Sequence, residues 1–263
     1  MALMETHYYS FSLKSNVTLN VFVPTPGSKE AITCMNTEAK YNYKDGLPVL
    51  YLLHGAYGDG FSWLRYSNID RYAQDRGIAV VMAGAENSFY QDMKNGKKYF
   101  TFFTEELPEF ITSVFPVSKK REKTFVAGSS MGGYGAWCLG LRRPDLYGKI
   151  ASMSGLLDID SGYKNRTEET PFDYEAVFYD LEHLKGSKYD LLALYDKAAK
   201  NDQVPKLYQT VGFGDFLYND NLRVRDYLRE KNANLTYEEG EGGHDWDFWD
   251  KYIQRILDWL LEE

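Results

Sequence analysis

The stretch AGSSMGGYG at 127–135 contains residues that could form a covalent intermediate with a substrate. A Gly-x-Ser-x-Gly frame fits it in one register, Gly128 to Gly132, which singles out Ser130; a frame on Ser129 would need glycines where Ala127 and Met131 stand. Between a strand and a helix, such a serine sits on a strained turn that exposes its hydroxyl. Side chains two residues away on either side would meet adjacent backbone. The chemistry on offer is nucleophilic acyl transfer. Gly133 and Gly135 also allow the following helix to approach closely.

A serine hydroxyl attacks well only when a base takes its proton, and histidine is suited to that near neutral pH. The chain has four. His7 precedes the body of the first strand, and His183 in YDLEHLKG reads as a solvated helical position. His54 directly follows an apolar run and reads as a structural residue of its loop. His244 lies in EGEGGHDWDFW, between the last strand and the last helix, where the Ser, acid, His chain order places the base. The neighbouring Asp245 and Asp247 read as helix-entry charges. The acid must hold the imidazole in one tautomer, which points to the loop VGFGDFLYNDN. Asp215 is the first choice there. Asp220 is the competitor, with an alternative reading as the N-cap of the next helix.

Acyl transfer also needs N–H donors for the oxyanion. The amide of Met131, next to the nucleophile, is one. The other is expected from LLHGAYGDG, from Ala56 or, alternatively, Gly55. Trp63, Tyr90, Phe178 and Tyr179 are candidates to line a substrate pocket, and the same four also read as ordinary packing.

These residues need elements to hold them. THYYSFSL and VTLNVFV read as an antiparallel pair joined around Lys14 to Asn16, and residues 24–46 as a loop. Further short apolar runs follow at 48–53, 78–83, 124–128, 149–154, 206–211 and 234–239. Helical periodicity appears near 65–76, 104–115, 132–142, 220–232 and 246–261. The alternation predicts one α/β domain over 1–263, with an eight-stranded, mostly parallel sheet covered by helices on both faces. Residues 155–203, after the sixth strand, are expected to form a helical insertion overhanging the carboxyl ends of the strands, where ligands bind.

Composition narrows the partners. A net charge of −8 without a dense basic stripe argues against nucleic acid. No apolar run approaches the ~20 residues that span a bilayer, and the start lacks a leader-like pattern, so the cytoplasm is the expected location. Cys34 and Cys138 read as core thiols of a reducing compartment. Neither HExxH nor a cysteine–histidine metal spacing is present in the sequence. The aromatic-rich insertion is compatible with a homo-oligomer.

Taken in order, HGAYGD, GSSMGGYG, GFGDFLYND and GGHDW, together with the opening YYSFSLKSNVTLNVFVP and the block SKKREKTFVAGSSMGGYGAW, resemble the esterase D-like branch of the α/β-hydrolases. The likeness is especially to the bacterial tributyrin esterase group, and it covers essentially the whole chain. The resemblance implies an α/β-hydrolase fold and hydrolysis of short-chain acyl esters without metal or cofactor. It places the family's triad on Ser130, Asp215 and His244, and its oxyanion donors on Ala56 and Met131. Relatives include carbohydrate acetyl esterases, feruloyl esterases and S-formylglutathione hydrolases, which keeps a thioesterase as the alternative, and behind it an acyltransferase or a non-catalytic scaffold. Ser129, and Phe213 or Gly214, depart from the family's usual residues beside the site.

Overall fold

The computed structural model describes residues 1–33, 41–167, 170 and 172–262. Its eight strands are β1 (Ala2–Ser10), β2 (Ser15–Val23), β3 (Val49–Leu53), β4 (Ala79–Ala83), β5 (Thr124–Ser129), β6 (Lys149–Met153), β7 (Lys206–Gly212) and β8 (Leu235–Gly240). They form one sheet in the order β1-β2-β4-β3-β5-β6-β7-β8. The β1–β2 and β2–β4 pairs are antiparallel, and from β4 to β8 every neighbour is parallel. This is the eight-stranded α/β architecture expected from the alternation of elements.

The inner strands β3 to β6 are buried at every position because both sheet faces are covered. In β3, Val49, Tyr51 and Leu53 join one core layer while Leu50 and Leu52 join the other. Over the first face lie the helices Leu107–Val114, Met131–Arg142, Leu191–Ala199 and Tyr218–Glu230. The second face carries Ile69–Arg76 and Trp246–Leu261, whose Trp249, Tyr252, Ile253, Ile256, Leu257 and Leu260 are buried as their spacing predicts. Among the described residues no helix is long and apolar enough to cross a membrane.

The local differences have physical reasons. β1 starts at Ala2 rather than Thr6, since an edge strand alternating between half-buried and exposed residues tolerates Glu5 and His7. The stretch 65–76 is broken: Ser62–Tyr66 ends where the Ser67 hydroxyl donates to the Trp63 carbonyl, and Ile69–Arg76 begins afresh. The stretch 104–115 reaches back to Tyr99 through a π-helical turn, Phe102–Glu106, anchored where Thr101 donates twice to the Asp92 carboxylate. Within 24–46 a short helix forms at Ser28–Thr33. Cys138 is buried, whereas Cys34 lies outside the described residues.

The described residues of 155–203 hold three helices, Ile159–Lys164, Tyr174–Val177 and Leu191–Ala199. The first two contribute Ser161, Gly162 and Tyr174 to the lining of a cavity, and the third packs against Met131–Arg142.

Candidate active site

β5 runs directly into the helix Met131–Arg142, and Ser130 at the junction has φ 54° and ψ −119°, a region L-residues rarely occupy. Its N–H donates to the Met153 carbonyl at 2.9 Å, and its carbonyl accepts from the N–H groups of Gly133 and Tyr134 at 2.9 and 3.2 Å. The flanking glycines make this turn sterically feasible. A Cβ on Gly128 would sit 2.5 Å from the Gly132 carbonyl carbon, and one on Gly132 would sit 2.6 Å from the His54 carbonyl oxygen.

Two further strand ends bring partners to Ser130. The loop after β8 carries His244, whose Nε2 lies 2.9 Å from Ser130 Oγ. The loop after β7 carries Asp215, whose carboxylate oxygens lie 3.0 and 3.1 Å from His244 Nδ1. A carboxylate can only accept, so Nδ1 carries the proton and Nε2 is left free to accept from the serine hydroxyl. The His244 ring is fixed between Phe216, at 4.4 Å between centroids, and Trp249, at 5.1 Å. The Asp215 side chain is fully buried. Burial pushes its carboxyl up, but the hydrogen bond and charge of His244, the Ser154 hydroxyl facing it and the Leu217 N–H together hold it below the usual carboxylate range. The Leu217 N–H reaches Oδ1 at 2.8 Å, whereas the Ser154 hydroxyl forms no hydrogen bond of normal geometry among the described residues.

Asp220 stands elsewhere. It occupies the first turn of Tyr218–Glu230 rather than its N-cap, which is Leu217, and it pairs with Arg223. Asp245 caps the last helix by accepting from the Phe248 N–H, with Asp247 in its first turn. His7 and His183 lie on the surface, each beside a carboxylate of its own segment.

Ser130 opens into a cavity of about 670 Å³ that Ala56, Met131 and His244 also line. Among the described residues the backbone N–H groups of Ala56 and Met131 have no hydrogen-bond acceptor. Four residues proposed from sequence as pocket walls do not reach this cavity. Trp63 is buried and donates its indole N–H to the Leu53 carbonyl; Tyr90 is buried and donates to the His54 carbonyl. Phe178 is enclosed by Phe89, Tyr134, Tyr174 and Tyr189, and Tyr179 lies half exposed in a separate depression beside Lys188. The walls are formed instead by Tyr57, Tyr66, Phe89, Phe216, Trp246 and Trp249, with Leu156, Phe172 and Tyr174 from the insertion. Phe216 adjoins Asp215 and Trp246 lies two residues after His244 in sequence, a proximity that could have marked them. Among the described residues no group of three or more His, Cys, Asp or Glu side chains could hold a metal ion.

Residues 31–260 match the family model Esterase, described as "Putative esterase". The chain belongs to this esterase family. A curated acetyl esterase of Caldicellulosiruptor saccharolyticus is 38% identical to the esterase, over 99% of this chain and 98% of its own. Among solved structures, the fluorophosphonate-binding serine hydrolase FphF of Staphylococcus aureus superposes with a TM-score of 0.88 at 33% identity, covering 100% of this chain and 99% of its own. The S-formylglutathione hydrolase FrmB of S. aureus gives 0.84 at 33% identity, with 99% of both chains covered. The esterase is a serine carboxylic ester hydrolase with the α/β-hydrolase fold.

Proposed function

We propose that the esterase hydrolyses short-chain acyl esters, acetyl to butyryl, of aryl or carbohydrate alcohols through an acyl-enzyme, with the whole chain acting as one hydrolase domain. Ser130 is the nucleophile, His244 the general base and Asp215 the residue that orients it. Ser130 Oγ attacks the ester carbonyl as His244 Nε2 takes its proton, and the oxyanion is held by the amides of Ala56 and Met131. Collapse of the tetrahedral intermediate breaks the bond to the alcohol oxygen, which leaves with the proton from Nε2. Water, deprotonated by the same nitrogen, then attacks the acyl group and releases the acid and Ser130. Asp215 stabilises the imidazolium in both halves.

The observation that carries this reading is the unbroken Ser130–His244–Asp215 hydrogen-bond chain, at 2.9 and 3.0 Å, in the wall of a cavity also lined by Ala56 and Met131, whose N–H groups have no acceptor among the described residues. The aromatic lining supports aryl or sugar groups, which stack on such rings. The likeness to an acetyl esterase supports a small acyl group.

The test is initial-rate hydrolysis of p-nitrophenyl esters of increasing chain length, with feruloyl and acetylated-sugar esters alongside. A preference for two to four carbons is expected, with Ser130→Ala at least about 10⁴-fold slower. Wild-type rates in Ser130→Ala would overturn the assignment. A thioester turned over far faster than its oxygen ester would shift the substrate to the class named by the FrmB relative.

A further inference from the structure

We propose that His54 is a positioning residue of the oxyanion site: as a neutral Nδ1–H tautomer it fixes the Gly55–Ala56 peptide so that the Ala56 N–H faces the cavity. This rests on Ala56 being an oxyanion donor, as read above.

His54 directly follows β3 and is 1% exposed. Its Nε2 receives the backbone N–H of Ala85 at 2.8 Å, and its Nδ1 lies 2.7 Å from the Gly55 carbonyl oxygen. A backbone N–H can only donate, so Nε2 bears no proton; the proton is on Nδ1 and is donated to Gly55. The same carbonyl also accepts from the Gly58 N–H at 3.2 Å. The peptide is trans, so its C=O and N–H point in opposite directions. Drawing the Gly55 oxygen onto the buried ring therefore aims the Ala56 N–H the other way, toward the cavity that Ala56 lines.

The loop after β4 holds this arrangement from behind. Beyond the Ala85 bond, the Tyr90 hydroxyl donates to the His54 carbonyl at 2.8 Å and the Asn87 side-chain oxygen accepts from the Tyr57 N–H at 2.9 Å. Glu86, Phe89 and Tyr90 in that loop all have positive φ, as does Tyr57. Such backbone persists only where its surroundings over-determine it. Burial pushes the His54 imidazole below its ordinary value, against the Gly55 carbonyl and the Asp59 carboxylate, so the neutral ring is the form the site keeps.

Two variants separate the two bonds. In His54→Asn the side-chain amide can still donate to Gly55 but does not reach Ala85; in His54→Gln the amide reaches Ala85 and leaves the Gly55 carbonyl with the longer Gly58 N–H bond alone. Both are assayed as the full chain on p-nitrophenyl acetate, below the melting transition and per folded molecule. His54→Gln is expected to lose about 10- to 100-fold in kcat, short of the 10²- to 10³-fold for deleting an oxyanion donor, with KM within about threefold. His54→Asn is expected to keep kcat within about fivefold even if it melts lower. A folded His54→Gln with wild-type kcat, a loss through KM alone, or His54→Asn losing more than about tenfold in kcat would each overturn the proposal. The last outcome decides alone if His54→Gln does not fold. Ser130→Ala, run in parallel, separates the readings: wild-type activity there removes the acyl-enzyme itself, whereas loss there with His54→Gln unchanged removes only the role of His54.

Discussion

Replacing Asp215 by Asn changes no volume, yet its hydrogen bonds imply a large kinetic effect. Oδ1 is pinned by the Leu217 N–H at 2.8 Å, so the amide oxygen of Asn takes that place and the NH₂ group faces His244 Nδ1. Nδ1 must then accept, which moves the ring proton to Nε2 and points it at Ser130 Oγ, 2.9 Å away, where an acceptor is needed. Restoring the working tautomer means breaking the Leu217 bond or setting N–H against N–H, about 1–3 kcal/mol for a buried unsatisfied group. Loss of the carboxylate removes a charge-assisted bond to the developing imidazolium, about 1.5–3 kcal/mol more. Together these predict a fall in kcat of about 10²- to 10⁴-fold, with KM within about threefold because neither effect touches the ground-state ester. The assay is steady-state hydrolysis of p-nitrophenyl acetate at pH 7.5, with circular dichroism to establish folding. A folded variant keeping more than about a tenth of wild-type kcat would refute the tautomer argument.

The same carboxylate should be visible in stability. Its folded-state pKa lies below the ordinary value, so its contribution is complete above the unfolded pKa of about 3.9 and fades as pH falls through the lower folded value. Denaturant midpoints of wild type and Asp215→Asn should differ at neutral pH and converge in strong acid; a gap widening toward acid would be the wrong sign. Gly132→Ala places a Cβ 2.6 and 2.7 Å from the His54 and Leu53 carbonyl oxygens, backbone that cannot yield, and should cost about 1–3 kcal/mol in a chemical melt along with most activity. Full activity in a folded Gly132→Ala would show that the turn tolerates displacement. Leu156→Ala enlarges the cavity and should raise kcat/KM for six- and eight-carbon p-nitrophenyl esters relative to the acetate; an unchanged chain-length profile would place Leu156 away from the acyl group.

What could be read in the chain was whatever a local rule dictates. A strand, Gly-x-Ser-x-Gly and a helix leave few ways to fold, and Ser130 adopts the strained backbone that frame implies. Asp215 and His244 follow their strands closely, so the sheet order brings them to the serine without long-range information. The cavity wall had no such rule. Phe89 lines the cavity and its neighbour Tyr90 does not, and composition cannot say which of two adjacent rings turns inward when both carry positive φ. Trp63 and Phe178 have the right chemistry, but their burial depends on packing partners far away in sequence, Trp246 for one and Tyr134 for the other. Helix boundaries slipped for a similar reason, since the Ser67 break and the Asp92 anchor act through hydrogen bonds that periodicity does not register.

The segment between β6 and β7 has a consequence for how such an enzyme can diversify. Ser130, Asp215 and His244 come from the ends of β5, β7 and β8, while Leu156, Phe172 and Tyr174 come from the excursion between β6 and β7. One part of the cavity wall is therefore written in a stretch of chain apart from the three strand ends, although Phe216 and Trp246 stay beside the triad. Mutation can rewrite the excursion, or recombination exchange it, without resetting the hydrogen bonds of the reacting groups, so a lineage can move between esters while its catalytic machinery stays under constant selection. A designer has the same freedom: grafting a foreign 156–174 segment onto this sheet is a single-site replacement, and libraries confined to it search substrate range with the chemistry held fixed.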